Sequence, residues 1–202
     1  MDYEHNIFLS YAHGDLWTPW VKNTFLPRLH AYLQIEVGRL QISVDYQIEP
    51  GALWSPNLQR RVARSQIMLA LLSADYFQRE WCRREMALML EREKRLGMEG
   101  RDENYGLLVP IRLGDGLMFP DLVRRVQYQD FEDFADPDLP SGTPRMSDFN
   151  GAVKKLAKTI AGTLPRVPTE CSEVWDTFTG DDFFDQLCAK PLTLQQPPRL
   201  II

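Results

Sequence analysis

The chain has 202 residues and 23.5 kDa, with 28 acidic against 23 basic side chains and a formal charge of −5. Hydrophobic residues at 44% are enough for one α/β domain with an appendage, and the acidic balance excludes broad nucleic-acid binding, which wants a basic face. No apolar run approaches the roughly 18 residues of a membrane span, and Cys82, Cys171 and Cys188 lack the spacing of a metal site or a disulfide framework. The acidic start Met1-Asp-Tyr-Glu-His-Asn6 leads straight into a strand, unlike a secretory signal, so a reducing cytoplasm is the expected setting.

Asn6-Ile-Phe-Leu-Ser-Tyr-Ala12 reads as a first strand, closed by His13-Gly14-Asp15. Asp15 or Thr18 is placed to cap the next helix, with Pro19 in its first turn. Trp20, Val21, Phe25, Leu29 and Leu33 then recur at helical spacing, and Pro27 predicts a kink. Leu40 to Tyr46 alternates as a second strand should. Glu49-Pro-Gly-Ala-Leu-Trp54 is a turn-rich loop, and Ser55-Pro56 opens a helix to about Arg64. On that helix Arg60, Arg61 and Arg64 form one stripe, expected to be a solvated face.

Ile67-Met-Leu-Ala-Leu-Leu72 is short, continuous and apolar, the pattern of a strand buried on both faces. After Ser73-Ala-Asp-Tyr-Phe-Gln-Arg-Glu-Trp-Cys-Arg-Arg-Glu85, the segment from Met86 to Arg95 consists of strong helix formers. Tyr105 to Leu113 predicts a fourth strand, in which Pro110 marks a bulge or an edge. Val126 to Phe131 predicts a fifth. Asp148 is the expected cap of a last helix over Phe149–Thr163, with Val153, Leu156 and Ile160 inward. Five alternations of strand and helix imply a parallel sheet with helices on both faces. Residues 1–164 form that unit. Residues 165–202 form a Pro-rich C-terminal extension with short helical pieces at 174–178 and 183–188, expected to drape over the domain because Trp175, Phe178, Phe183 and Phe184 need burial.

The chemistry concentrates after the third strand. The carboxyl ends of parallel strands form the edge where ligands bind in open α/β sheets. Trp81 and Glu85 are four residues apart, so a helix stacks a flat aromatic beside a carboxylate. A sugar or nucleotide can use both. The competing reading of Glu85 is a solvated helix glutamate beside Arg83 and Arg84, and that of Trp81 is packing at a helix start. Cys82 reads as a small core residue rather than a nucleophile, since no histidine stands beside it in sequence. Gly114-Asp-Gly116 lacks the spacing and the following Lys of a phosphate loop.

Three segments in register, Ile7-Phe-Leu-Ser-Tyr-Ala12, Glu49-Pro-Gly51 and Ser73-Ala-Asp-Tyr-Phe77 with Trp81-Cys-Arg-Arg-Glu85, resemble Toll/interleukin-1 receptor (TIR) domains over about residues 5–163. The likeness is to the bacterial, NAD+-consuming kind. It implies a flavodoxin-like fold with a five-stranded parallel sheet. It also implies cleavage of the nicotinamide–ribose bond, by hydrolysis or cyclisation, with NAD+ as substrate and neither cofactor nor metal required. By the resemblance Glu85 is the catalytic glutamate. Trp81, Ser10, Tyr11, Asp45 and Ser73 are expected on the same sheet edge as contacts to substrate, and His13 near it as inert. The loop at 46–54, through Glu49, Pro50, Gly51, Leu53 and Trp54, is expected to mediate TIR–TIR self-association.

In bacteria such proteins act in defence against phage. With no attached sensor or effector domain in the chain, the expected role is the signal-producing component of a system such as Thoeris, reaching a separate effector through an ADP-ribose-derived nucleotide. The alternatives are a non-catalytic assembly module working through the 46–54 loop and a bacterial mimic of host TIR signalling.

Overall fold

Two apolar strands set the frame. Residues Ile7, Phe8 and Leu9 of β1 (His5–Tyr11) and Ile67 to Leu72 of β3 (Ser65–Leu72) are buried, as strands covered by helices on both faces must be. The computed structural model describes residues 2–14, 17–44, 56–98, 106–114, 116–117, 119–124, 127–136, 138–169 and 171–188. Its sheet is five-stranded and parallel in the order β2-β1-β3-β4-β5, with β2 at Ile42–Val44, β4 at Leu108–Arg112 and β5 at Gln129–Asp130. This is the flavodoxin-like order, whose switch point lies between β1 and β3. β2 and β5 are shorter than the alternation and apolarity of their sequences predict. The β5 ladder engages only Ile111 and Arg112, so β4 is locally an edge at Pro110, where a missing N–H costs least.

The first helix runs as α1 (Trp17–Trp20), a π turn at Val21–Phe25 and α2 (Leu26–Glu36). The expected kink at Pro27 takes this form: the Leu26 N–H reaches back to the Val21 carbonyl, widening the helix just where the proline ring would meet the preceding turn. Trp20, Val21, Phe25, Leu29 and Leu33 all point inward. Trp20 stacks on Phe25 and donates its indole N–H to the Phe134 carbonyl at 2.9 Å. α2 packs with α6 (Pro144–Thr163). α6 starts earlier than Asp148: Thr143 is the cap, its hydroxyl accepting from the Met146 N–H, and Pro144 takes the first helical position. A Thr-Pro pair outcompetes an aspartate four residues on because proline is pre-organised for that position.

α3 (Pro56–Ala63) and α4 (Glu80–Arg95) pack together, with α5 (Asp121–Arg124) a single turn before β5. The arginine stripe is solvated only at Arg60, which is exposed, whereas Arg61 and Arg64 are half-buried, and all three are paired. Arg60 and Arg64 both pair with Glu4, Arg64 also binds Asp176 at 2.6 Å, and Arg61 donates to the Ser43 hydroxyl and the Val44 carbonyl. Together the three arginines tie this region to the start of the chain, to β2 and to the C-terminal segment. The C-terminal stretch crosses this layer as short helical turns at Leu164–Arg166 and Glu173–Thr177, then α7 (Asp181–Cys188) against α4. Trp175, Phe178 and Phe183 are buried there and Phe184 is half-buried. No helix among the described residues is long and apolar enough to cross a membrane.

Candidate functional site

α4 begins at Glu80, one residue before Trp81, after a short turn at Tyr76–Gln78. Its second turn lowers Glu85 onto the carboxyl end of β1. Only 4% of Glu85 is exposed, and Ser10, the penultimate residue of β1, donates its hydroxyl proton to Glu85 Oε2 at 2.5 Å. Tyr76 completes the group, its hydroxyl 2.8 Å from Ser10 Oγ. A carboxylate only accepts, so the polarity of the chain is set: Tyr76 donates to Ser10, and Ser10 to Glu85. Burial first, and then the Cys82 and Glu85 side chains beside it, raise the Tyr76 phenol well above its usual range, against a smaller downward pull from the Ser10 bond. Tyr76 therefore stays protonated and able to donate. Cys82 is likewise pushed well above the usual thiol range, first by burial and then by the Glu85 carboxylate, which makes it an inert core thiol.

Ser73 is close by but turned to another task. Its hydroxyl accepts from the Tyr76 N–H at 3.2 Å, pinning the turn that aims Tyr76 at Ser10. Tyr11 follows Ser10 and so leaves β1 on the opposite face, where its ring lies 4.4 Å from His13. Trp81 is half-buried against the core at the start of α4, on the Glu85 face by helical spacing. Of the anticipated contacts, then, Ser10 meets Glu85 directly, Ser73 acts through Tyr76, and Tyr11 belongs to the other face. Asp45 and the loop residues Glu49, Pro50, Gly51, Leu53 and Trp54 lie outside the described residues.

Tyr76 is the member that sequence reasoning passed over. The signal was its position three residues after a serine that can cap it, at the carboxyl end of a buried strand. Among the described residues, no three His, Cys, Asp or Glu side chains cluster as metal ligands would. The arrangement offers a buried negative charge with one oxygen held by a hydroxyl. Such a charge is costly to desolvate, and it suits a cation that develops in place.

A family model described as TIR domain matches residues 7–140, which include Ser10, Ser73, Tyr76, Trp81 and Glu85. The disease resistance protein RML1B of Arabidopsis thaliana is 31% identical over 106 residues, a span of 52% of this chain and 10% of that protein. Among solved structures, the TIR domain of the Toll-related receptor TRR-2 from Hydra magnipapillata aligns with a TM-score of 0.43 at 17% identity, covering 64% of this chain and 86% of its own. The TIR domains of the activated Roq1 resistosome, which recognises the pathogen effector XopQ, align at 0.41 and 18%, covering 91% and 98%.

Proposed function

The chain belongs to the TIR domain family, and from that premise we propose that it cleaves the nicotinamide–ribose bond of NAD+, with Glu85 as the catalytic carboxylate. The observation that carries the reading is the Ser10–Glu85 bond: a nearly buried carboxylate held at 2.5 Å on the sheet edge where α/β folds bind ligands. Nicotinamide departs as a neutral molecule, so the leaving group needs no strong general acid. What the reaction needs is negative charge beside the oxocarbenium-like ribose and a hold on its hydroxyls. Glu85 supplies the first and shares the second with Ser10. Trp81, one helical turn earlier, would stack on a ring of the substrate and exclude water. Metal and cofactor have no part in this scheme. Water gives ADP-ribose, whereas a hydroxyl or base of the dinucleotide itself gives a cyclic product.

The setting that fits is immunity, in keeping with the plant relative, a disease resistance protein. We place the chain in anti-phage defence within the bacterial cytoplasm, its ADP-ribosyl product serving as a signal to a separate effector. Self-association through the 46–54 loop would complete the site. Turnover per chain would then rise with protein concentration.

The test is a product assay on wild type and Glu85→Gln at high protein concentration, read by chromatography and mass spectrometry. Wild type is expected to release nicotinamide, and Glu85→Gln to lose about a hundredfold or more in kcat with little change in KM. Absence of release from concentrated wild type would overturn the enzymatic reading and leave assembly through the 46–54 loop as the function.

A further inference from the structure

α4, the helix that bears Glu85, carries five cations, Arg83, Arg84, Lys94 and Arg95 at least partly accessible and Arg92 buried. Residues 171–188 lie along it and meet those cations with aromatic rings. The Arg92 guanidinium sits 4.4 Å from the Trp175 ring, Arg95 4.9 Å from Phe178, Lys94 5.5 Å from Phe183 and Arg84 4.4 Å from Phe184. Arg92 is wholly buried and donates to the Ser65 carbonyl at 2.7 Å and the Val62 carbonyl at 3.3 Å. Among the described residues no carboxylate pairs with it; the two carbonyls, the Trp175 face and the Tyr3 ring at 5.8 Å surround its charge.

The segment is anchored on the neighbouring helix as well. Asp176 takes a two-pronged bond from Arg64, and Gln59 donates to the Asp176 and Phe178 carbonyls at 3.1 and 2.8 Å. Between these anchors Gly180 touches α4 backbone to backbone. A β-carbon there would lie 2.7 Å from the Ala87 carbonyl carbon and 2.8 Å from both its oxygen and the Leu88 nitrogen. Gly180 also has φ +67°, a left-handed conformation that glycine adopts without cost. Ala87 is two residues past Glu85.

We propose that residues 171–188 are a strap that positions α4, with Gly180 as the positioning residue that sets where Glu85 stands against Ser10. This rests on the reading of Glu85 as the catalytic carboxylate. A helix packed on one side against a sheet can slide along it, and packed helices do shear in small steps. α4 is gripped on both sides, by the sheet beneath and by the strap above. The closest point of that grip is half a turn from Glu85. Displacement on the scale of 1 Å at a reacting group costs about a hundredfold in rate, so a contact without slack at Ala87 matters to the chemistry.

Gly180→Ala in the full chain tests the strap, because its methyl must push the segment off the α4 backbone. Gly38→Ala is the control: Gly38 has φ +84° and nothing within 4 Å, so it carries the same backbone strain with no collision. Gly180→Ala is expected to lower kcat for NAD+ cleavage by about 10- to 100-fold, leave KM within about twofold and speed hydrogen exchange over residues 84–90. Gly38→Ala is expected to match wild type in all three. Should Gly180→Ala fail to fold, Phe184→Leu at a half-buried surface position carries the same expectation on a smaller scale. Wild-type kcat in the folded strap variant, or equal losses in both glycine variants, would overturn the proposal. If wild type itself released no nicotinamide, the enzymatic reading would fall and the exchange measurement would decide the strap alone. Faster exchange in Gly180→Ala would then uphold its grip on α4, and unchanged exchange would remove it.

Discussion

Ser10 Oγ donates to Glu85 Oε2 at 2.5 Å across 75 residues of chain, joining the carboxyl end of β1 to the second turn of α4. The bond lies at the switch point of the sheet, where β1 and β3 run side by side with Ser10 opposite Ala70. It holds one carboxylate oxygen in a fixed direction.

Ser10→Ala removes that donor from a buried carboxylate. Hydrogen bonds to charged groups contribute about 1.5–3 kcal/mol, or roughly 10- to 100-fold in a rate that depends on them. A fall in kcat of that size is expected, measured as nicotinamide release. If the two residues act as a unit, Ser10→Ala added to Glu85→Gln costs almost nothing more than Glu85→Gln alone.

Tyr76→Phe leaves the Ser10–Glu85 bond intact and removes the hydroxyl that orients it. Loss of a neutral buried hydrogen bond is expected to lower stability by about 1 kcal/mol, read from the urea midpoint. The kcat should fall a few-fold, less than for Ser10→Ala, because Tyr76 reaches the carboxylate only through the serine.

Acid should weaken the fold before the carboxylates titrate. His5 on β1 is held below the usual imidazole value of 6.5, first by burial and then by the Arg61 guanidinium, with Glu4 pulling the other way. The unfolded chain therefore takes up this proton first as pH falls. The contribution of His5 is fully present above 6.5 and is lost as pH falls through the folded value. Glu4 and Asp130 add a second, lower window. Burial raises each carboxyl, but Arg60 and Arg64 outweigh it at Glu4, and Arg112 with the Glu132 N–H outweighs it at Asp130. Urea midpoints measured from pH 7.5 to 5 are expected to decline in wild type and to decline less in His5→Gln.

Local chemistry by itself determined much of this protein. The apolar runs of β1 and β3 had to be buried strands, and the spacing of Trp20, Val21, Phe25, Leu29 and Leu33 had to be one inward helical face. The interval from Trp81 to Glu85 had to put both on one side of a helix. These are statements about residues a few positions apart, where backbone geometry leaves little choice. What the tertiary structure alone decided are pairings between distant segments. Arg60, Arg61 and Arg64 formed a stripe by period, yet their partners are Glu4, Ser43 and Asp176, brought to α3 by the strand order and the return of the C-terminal segment. Tyr76 and Ser10 are 66 residues apart and meet because β1 and β3 are neighbours. Gly180 lies against Ala87 because a chain that had finished its sheet still carried four aromatic side chains to bury. Periodicity reports which face of an element is apolar, and only the packed sheet determines what each face meets.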